Sequence, residues 1–288
     1  MMQRTLRFSA GILAALLAAV LLSACGKSNS DSIKARGYVR IAVANEIPYG
    51  YLNGKGIAHG IAPDIARRVL NNMGYHDLRW VVLPFGSLIP ALKAGRVDMV
   101  AAGQAILPAR CKVVRFSRPN SSYGEGMLVL AGNPKHISGY QSFVQNKQLR
   151  LGIVSGADEL DIAQALHVPD AQLVTLASNT DAVGALRGNR IDAYAATRLS
   201  ALRLAGKTHG VEVAQPFTDP VVKGRVVRSY GAFAFRKNAV KFSAAFDKAL
   251  ATVQATPFYT QTLHHYGLTD KDIAAARAAS TAALCAGN

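Results

Sequence analysis

From about residue 38 onward, short runs of aliphatic and β-branched residues alternate along this chain with amphipathic stretches of helical period. The runs predict strands over 39–44, 78–83, 97–102, 127–130, 149–154, 173–175, 191–195 and 232–235. The stretches between them predict helices over 61–72, 88–94, 157–166, 180–187, 239–255 and 270–283, the last capped by Asp270. Strands alternating with helices are the signature of an α/β fold. One pattern occurs twice, at 91–100 and 185–194, which lie 94 positions apart. Each copy is a helix end, a Gly or Asn exit (Gly95, Asn189), an Arg (Arg96, Arg190), a β-branched residue (Val97, Ile191) and an Asp opening a strand (Asp98, Asp192). That spacing is too long for a solenoid repeat and predicts one supersecondary unit used once in each of two similar lobes. Asp98 and Asp192 are expected to tie loop backbone rather than touch a ligand.

The amino-terminal pattern differs. Arg4 and Arg7 precede an uncharged stretch from Phe8 to Gly26 with an apolar core over 11–22. A basic start, a short apolar core and a small-residue exit predict a secretory signal over residues 1–24. The exit Leu22, Ser23, Ala24, Cys25 resembles the lipobox of bacterial lipoproteins, which implies acylation of Cys25 as the first mature residue and anchorage to a membrane through lipid. The competing reading is an uncleaved membrane anchor. The polar segment that follows, 25–36, reads as a tether.

Composition then adjusts the picture. The chain has 288 residues, a formal charge of +16 and 50% hydrophobic residues, which excludes a disordered or fibrous protein. Removing Arg4 and Arg7 with the signal lowers the charge to +14. Export and the dispersal of the basic residues, without interleaved aromatics, exclude nucleic acid as a partner. With Cys25 acylated, Cys111 and Cys285 remain, an even pair in a disulfide-permissive space. A bridge between them is expected, two buried free thiols being the alternative.

The ordered set of segments 60–64, 84–92, 95–98, 103–110, 116–119, 152–156 and 231–237 resembles the extracytoplasmic solute-binding proteins of the polar amino-acid class, which feed ATP-binding-cassette (ABC) importers. The resemblance implies a type II periplasmic-binding-protein fold. Its lobe 1 is built from 37–119 and 233–288 and its lobe 2 from 125–228, joined by a hinge at 120–124 and 229–232. It implies a monomer that binds a small ligand without a cofactor or metal and hands it to a membrane permease. Arg110 stands where the family places the arginine that pairs with a ligand carboxylate, a match of planar donor to planar acceptor. Ser155, Gly156 and Ala157 precede a helix where family members bind an anion on backbone amides, although Thr is usual at the position of Ala157. Phe85 matches the aromatic floor of the cleft, and Gly103 lies in the same matched run as Arg110.

Glu46, beside Tyr49 and Tyr51 after the first strand, is a candidate cation partner by charge and by cation–π contact. Where amino-acid binders usually place Ser or Thr ahead of the arginine, this chain has Ala105 and Leu107. Where they place Asp for an ammonium, it has Thr197. A cleft poor in acids, with Arg110 for the anion and Glu46, Tyr49 and Phe85 for a delocalised cation, resembles the ectoine and hydroxyectoine branch. The alternatives are a polar amino-acid binder with an altered ammonium site, or an exported enzyme like the cyclohexadienyl dehydratases, with Glu46 or His59 as its acid. The adjacent His264 and His265 point to different helix faces and are not expected to chelate a metal.

Overall fold

A computed structural model describes residues 29–287. The signal segment and Cys25 lie outside the described residues. Among those described, no helix is long and apolar enough to cross a membrane. In chain order the strands are β1 (Tyr38–Val43), β2 (Tyr51–Leu52), β3 (Ala58–His59), β4 (Asp77–Val82), β5 (Met99–Ala105), β6 (Val114–Phe116), β7 (Ser121–Tyr123) and β8 (Glu125–Leu130). They continue as β9 (Leu151–Val154), β10 (Leu173–Leu176), β11 (Ala193–Thr197), β12 (Val211–Val213), β13 (Val221–Val222), β14 (Arg225–Val226) and β15 (Ser229–Arg236).

Two main sheets result. The first has the order β4-β1-β5-β15-β6, with β7 also paired to β15, and the second has the order β10-β9-β11-β8-β12. In each, three parallel strands (β4, β1, β5; β10, β9, β11) are followed by an antiparallel one (β15; β8). Each sheet with its covering helices forms a lobe of a type II periplasmic-binding-protein fold. The chain passes from the first sheet to the second at Gly124, between β7 and β8, and β7 runs antiparallel to β15 through Ser229↔Tyr123, Tyr230↔Ser122 and Gly231↔Ser121. The first core gathers Ile41, Ile65, Phe233, Phe235 and Phe246, and the second Leu151, Phe143 and Ala193, all fully or almost fully buried.

The internal echo is realised atom by atom. Gly95 and Asn189 both take left-handed backbone, at φ 71° and 50°. The next N–H in each copy reaches back to the helix, Arg96 to the Ala91 carbonyl at 3.0 Å and Arg190 to the Ala185 carbonyl at 2.8 Å. Asp98 then accepts the backbone N–H of Arg40 at 2.9 Å, and Asp192 that of Arg150 at 2.7 Å. Both aspartates thus tie the turn to the adjacent central strand.

Several expectations are corrected. The polar segment expected as a tether is helical over Asn29–Arg36, because Ile33 buries into the first core and Arg36 reaches Asp98 at 2.6 Å. The strands expected at 97 and 191 begin two residues later, since the Val-Asp and Ile-Asp pairs belong to the turns. The final helix starts after Thr269, whose side chain and that of Asp272 form a reciprocal capping box, so Asp270 is its first residue and not its cap. It ends at Ala278, and a separate helix, Thr281–Ala286, follows. That last helix carries Cys285, whose sulfur lies 2.03 Å from that of Cys111 on helix Pro108–Val113.

Candidate functional site

The carboxyl ends of the parallel strands in both sheets face one cleft, as expected where open α/β sheets bind ligands. Asn45, at φ 57°, turns the chain out of β1, and Glu46 and Gly50 bridge each other through paired backbone hydrogen bonds. This turn sets Glu46 and Tyr49 into the cleft. Gly103, in β5, is left-handed at φ 62°, and a Cβ there would stand 2.6 Å from Tyr49 Cδ1. Glycine therefore lets the Tyr49 ring lie directly on the strand. Tyr123 packs edge-on against that ring at 5.1 Å and donates its hydroxyl to the Gly103 carbonyl at 2.8 Å.

The cavity of no more than about 370 Å³ between the lobes is lined from the first lobe by Glu46, Tyr49, Phe85, Ala102, Gly103 and Tyr123. The second lobe contributes Val154, Ala157, Asp158, Glu159, Asn179, Tyr194 and Thr197. The lobes touch across it. Thr197 caps helix Arg198–Ala205 by accepting the Ser200 N–H at 3.2 Å, which aims the Ser200 hydroxyl at Glu46 Oε1, 2.6 Å away. Gly86 lies so close to Ser155 that a Cβ would meet its carbonyl oxygen at 2.9 Å.

Of the residues singled out in the sequence, Glu46, Tyr49, Phe85, Gly103, Ala157 and Thr197 line this cavity. Arg110, Ser155 and Gly156 are not among its lining residues; Arg110 donates to the carbonyls of Ala105 at 2.9 Å and, across the lobes, Gly156 at 2.7 Å, with its guanidinium 5.9 Å from the Phe85 ring. The turn at 155–157 offers fewer free amides than expected. The Ser155 N–H is bonded to the Leu176 carbonyl and that of Ala157 to the Val154 carbonyl. The helix after it, Glu159–Ala165, opens with acids, which oppose an anion there. Tyr51 turns away to stack on His59 at 6.3 Å, and His264 pairs with Asp270 at 2.9 Å.

The larger correction concerns acids. The cleft is rich in them: Glu46, Asp158 and Glu159 line it, and Glu125, at the start of β8, lies behind. Three of the chain's four glutamates are therefore here. Burial pushes the Glu46 carboxyl upward, against the hydrogen bonds from Ser200 and Asn179. Burial, then repulsion from Glu159, Asp158 and Asp219, holds Glu125 well above the usual carboxylate range. Glu159 is held high by burial and by Asp158. The signal that reveals Glu125 in the sequence is an acid opening an apolar strand run, a place acids rarely occupy without a reason. Asp158 and Glu159 follow directly on the Ser-Gly-Ala turn, where the acids are as plain as the turn.

Residues 39–269 match the sequence profile of the bacterial extracellular solute-binding proteins, family 3. The chain is 44% identical over 278 residues, 96% of its length and 92% of the relative's, to the probable amino-acid ABC transporter periplasmic-binding protein y4tE of Sinorhizobium fredii (strain NBRC 101917 / NGR234). It is 28% identical over 236 residues, 81% of this chain and 87% of the relative, to the arginine-binding extracellular protein ArtP of Bacillus subtilis (strain 168). Among solved structures, EhuB in complex with hydroxyectoine superposes with a TM-score of 0.81 at 28% identity, covering 91% of this chain and 100% of EhuB. A profile spanning most of the chain, a relative matched nearly end to end and the two-lobed fold agree: the chain belongs to the bacterial extracellular solute-binding proteins, family 3, the substrate-binding subunits of ABC amino-acid importers.

Proposed function

We propose that this chain is a lipid-anchored receptor, attached through Cys25, that captures a small ligand between its closing lobes and presents it as a monomer to a membrane permease. The ligand has a cationic pole and a carboxylate, within the range from cyclic amidines such as ectoine and hydroxyectoine to amino acids. The observation that carries this reading is Glu46: partly buried, set among Tyr49, Phe85 and Tyr123, and bonded across the cleft by Ser200 at 2.6 Å. A carboxylate among aromatic faces suits a delocalised cation. The hydroxyectoine complex of EhuB and the arginine-binding name of ArtP support the two ends of the range. Arg110 is the partner for the ligand carboxylate once it exchanges the Gly156 carbonyl for it. The paired strands β7 and β15 serve as the hinge.

Calorimetry with ectoine, hydroxyectoine, arginine, lysine, glutamine and glutamate tests the reading, and silence across the panel defeats it. Arg110→Ala is expected to cost about 2–5 kcal/mol of binding; a loss below about tenfold, roughly 1.4 kcal/mol, places the carboxylate elsewhere. Cys25→Ser is expected to move the protein from the membrane to the soluble fraction. The competing reading, an exported dehydratase, has one point in its favour: the upward-shifted Glu46 carboxyl suits a general acid. Turnover of prephenate or arogenate would establish it, and none is expected.

A further inference from the structure

The chain around Arg110 is an arch between two points of the first sheet. Before the arch, the Ile106 N–H donates to the Tyr230 carbonyl at 2.9 Å, and after it Val114 pairs with Arg236. Helix Pro108–Val113 spans the gap with six residues, of which only Arg110 is buried. Val113 is 37% exposed, so the helix sets no apolar side chain into the core. Isolated helices below about 12–15 residues are marginal in water, so this one takes its place from what its side chains touch. Arg110 itself donates to the Ala105 and Gly156 carbonyls. The Lys237 ammonium donates to the Cys111 carbonyl at 2.6 Å, an exposed bond from a side chain with much rotamer freedom to lose. The remaining hold is covalent: Cys111 is bridged to Cys285. Helix Thr281–Ala286, which carries Cys285, buries no residue either. Its start is nevertheless fixed, because Ser280 caps it and the Thr281 hydroxyl donates to the Ser117 carbonyl at 2.9 Å. Ser117 is in turn bonded through its N–H to the Phe233 carbonyl of β15 at 2.9 Å.

We propose that the Cys111–Cys285 disulfide positions Arg110 for the ligand carboxylate, so that Cys285, in the last helix, sets carboxylate affinity without touching the ligand. The proposal rests on the receptor reading above, in which Arg110 exchanges the Gly156 carbonyl for that carboxylate, and deepens it. At that exchange the short helix gives up its bond to the second lobe, and the bridge becomes its main side-chain anchor. A guanidinium grips a carboxylate through two parallel N–H···O bonds, which demands that both nitrogens arrive together. With the bridge open the arch is free to shift, and losing one of the two charge-assisted bonds weakens binding by about tenfold or more. The cation end of the site is held by other contacts. Glu46 is fixed by its backbone bridge to Gly50 and by Ser200, and Tyr49 by Gly103 and Tyr123. The loss is therefore confined to the carboxylate.

The test is calorimetry on the processed protein with ectoine, arginine, lysine and glutamine, each as the free acid and as its α-carboxamide, which removes the anion that Arg110 pairs with. For whichever acid binds best, Cys285→Ser, shown to be folded by a cooperative urea transition, is expected to weaken the acid by about tenfold or more and the amide by less than about threefold. In the Arg110→Ala background, adding Cys285→Ser is expected to change the acid by less than about threefold. Equal weakening of acid and amide, or an unchanged affinity for the acid, overturns the positioning role and leaves the receptor reading intact. An Arg110→Ala protein that binds the acid as tightly as the unmutated one removes the carboxylate from Arg110 and overturns the proposal as well. Silence of the unmutated protein across the panel overturns the receptor reading and the proposal with it. Where the serine variant does not fold, the unmutated protein is reduced with a phosphine and the same acid-to-amide comparison is made. Loss of its cooperative transition on reduction overturns the proposal, because the bridge then holds the whole lobe and not the arginine.

Discussion

Asp98 and Asp192 occupy equivalent turns and carry different loads, so Asp98→Asn and Asp192→Asn should separate. Asp98 is fully buried. It takes the Arg40 backbone N–H at 2.9 Å, the Arg40 guanidinium at 2.9 and 3.2 Å and the Arg36 guanidinium at 2.6 Å, with Arg236 at 3.6 Å. Asparagine keeps one acceptor for the backbone N–H but turns an NH₂ toward guanidinium donors and removes the anion they share. Breaking a buried pair costs about 3–5 kcal/mol. The arginines are 22–27% exposed, so about 2–4 kcal/mol is expected after partial rehydration. Asp192 keeps its strand bond to the Arg150 N–H as asparagine and loses only an ion pair at 3.6 Å to a side chain that is 44% exposed. That loss is worth about 0.5–1 kcal/mol. At roughly 2–4 °C per kcal/mol for a domain of this size, Asp98→Asn should melt roughly 4–16 °C lower and Asp192→Asn no more than about 4 °C lower. Burial raises the Asp98 carboxyl, but the Arg40 bonds and the Arg36 charge win and hold it below its ordinary value. Its stabilisation is therefore complete above the ordinary Asp range near ~3.9 and is lost as pH falls through the lowered value. The gap between wild type and Asp98→Asn should close on that acid limb. Urea titrations of the processed protein at several pH values give both quantities. Equal losses at the two positions, or a gap that persists unchanged through strong acid, would refute the reasoning.

Three further outcomes follow from particular contacts. Cys285→Ser, or reduction, should cost about 2–5 kcal/mol by freeing a loop that closes over a sequence separation of 174 residues. Thiol titration of the unfolded, unreduced protein should find neither Cys111 nor Cys285 reactive. Gly103→Ala places a methyl 2.6 Å from Tyr49 Cδ1 on left-handed backbone, so it should lose about 2–4 kcal/mol in a denaturant titration and lose ligand binding as Tyr49 is displaced. Glu125 and Glu159 are held above their ordinary values by burial and repulsion. Ligand-free protein should therefore lose stability as pH rises from the ordinary carboxylate range near ~4.3 upward through those raised values, and thermal melts of Glu125→Gln should show a flatter decline.

Where local chemistry decides the structure, the sequence was a sufficient guide. Helix Ile61–Asn72 is bounded as its apolar period predicts, with Ile61, Ile65, Val69 and Leu70 buried. The repeated turn is legible because Gly95, Asn189 and the two aspartates act on their own neighbours in chain and sheet. What escaped depends on partners far along the chain. The short helix Asn29–Arg36 is poor in apolar residues and exists through Ile33 and the Arg36–Asp98 pair, 62 positions apart. The role of Thr197 was legible only as a missing acid; in the structure it caps a helix and so points Ser200 at Glu46, 154 positions away. The acids of the second lobe were visible as residues, but nothing local says that Asp158 and Glu159 share a cavity with Glu46.

That convergence also bears on the charge of the whole molecule. A formal charge of +16 suggests anionic ligands if it is treated as uniform. Exposed charges are screened over about 8–10 Å in physiological salt, whereas groups enclosed by the closed lobes act on one another in a medium of low dielectric. The ligand therefore experiences mainly Glu46, Asp158, Glu159, Glu125 and Arg110, a set with more acid than base. A basic surface and an acidic cleft are thus compatible in one chain, because the few enclosed groups act at short range while the net charge around them is screened.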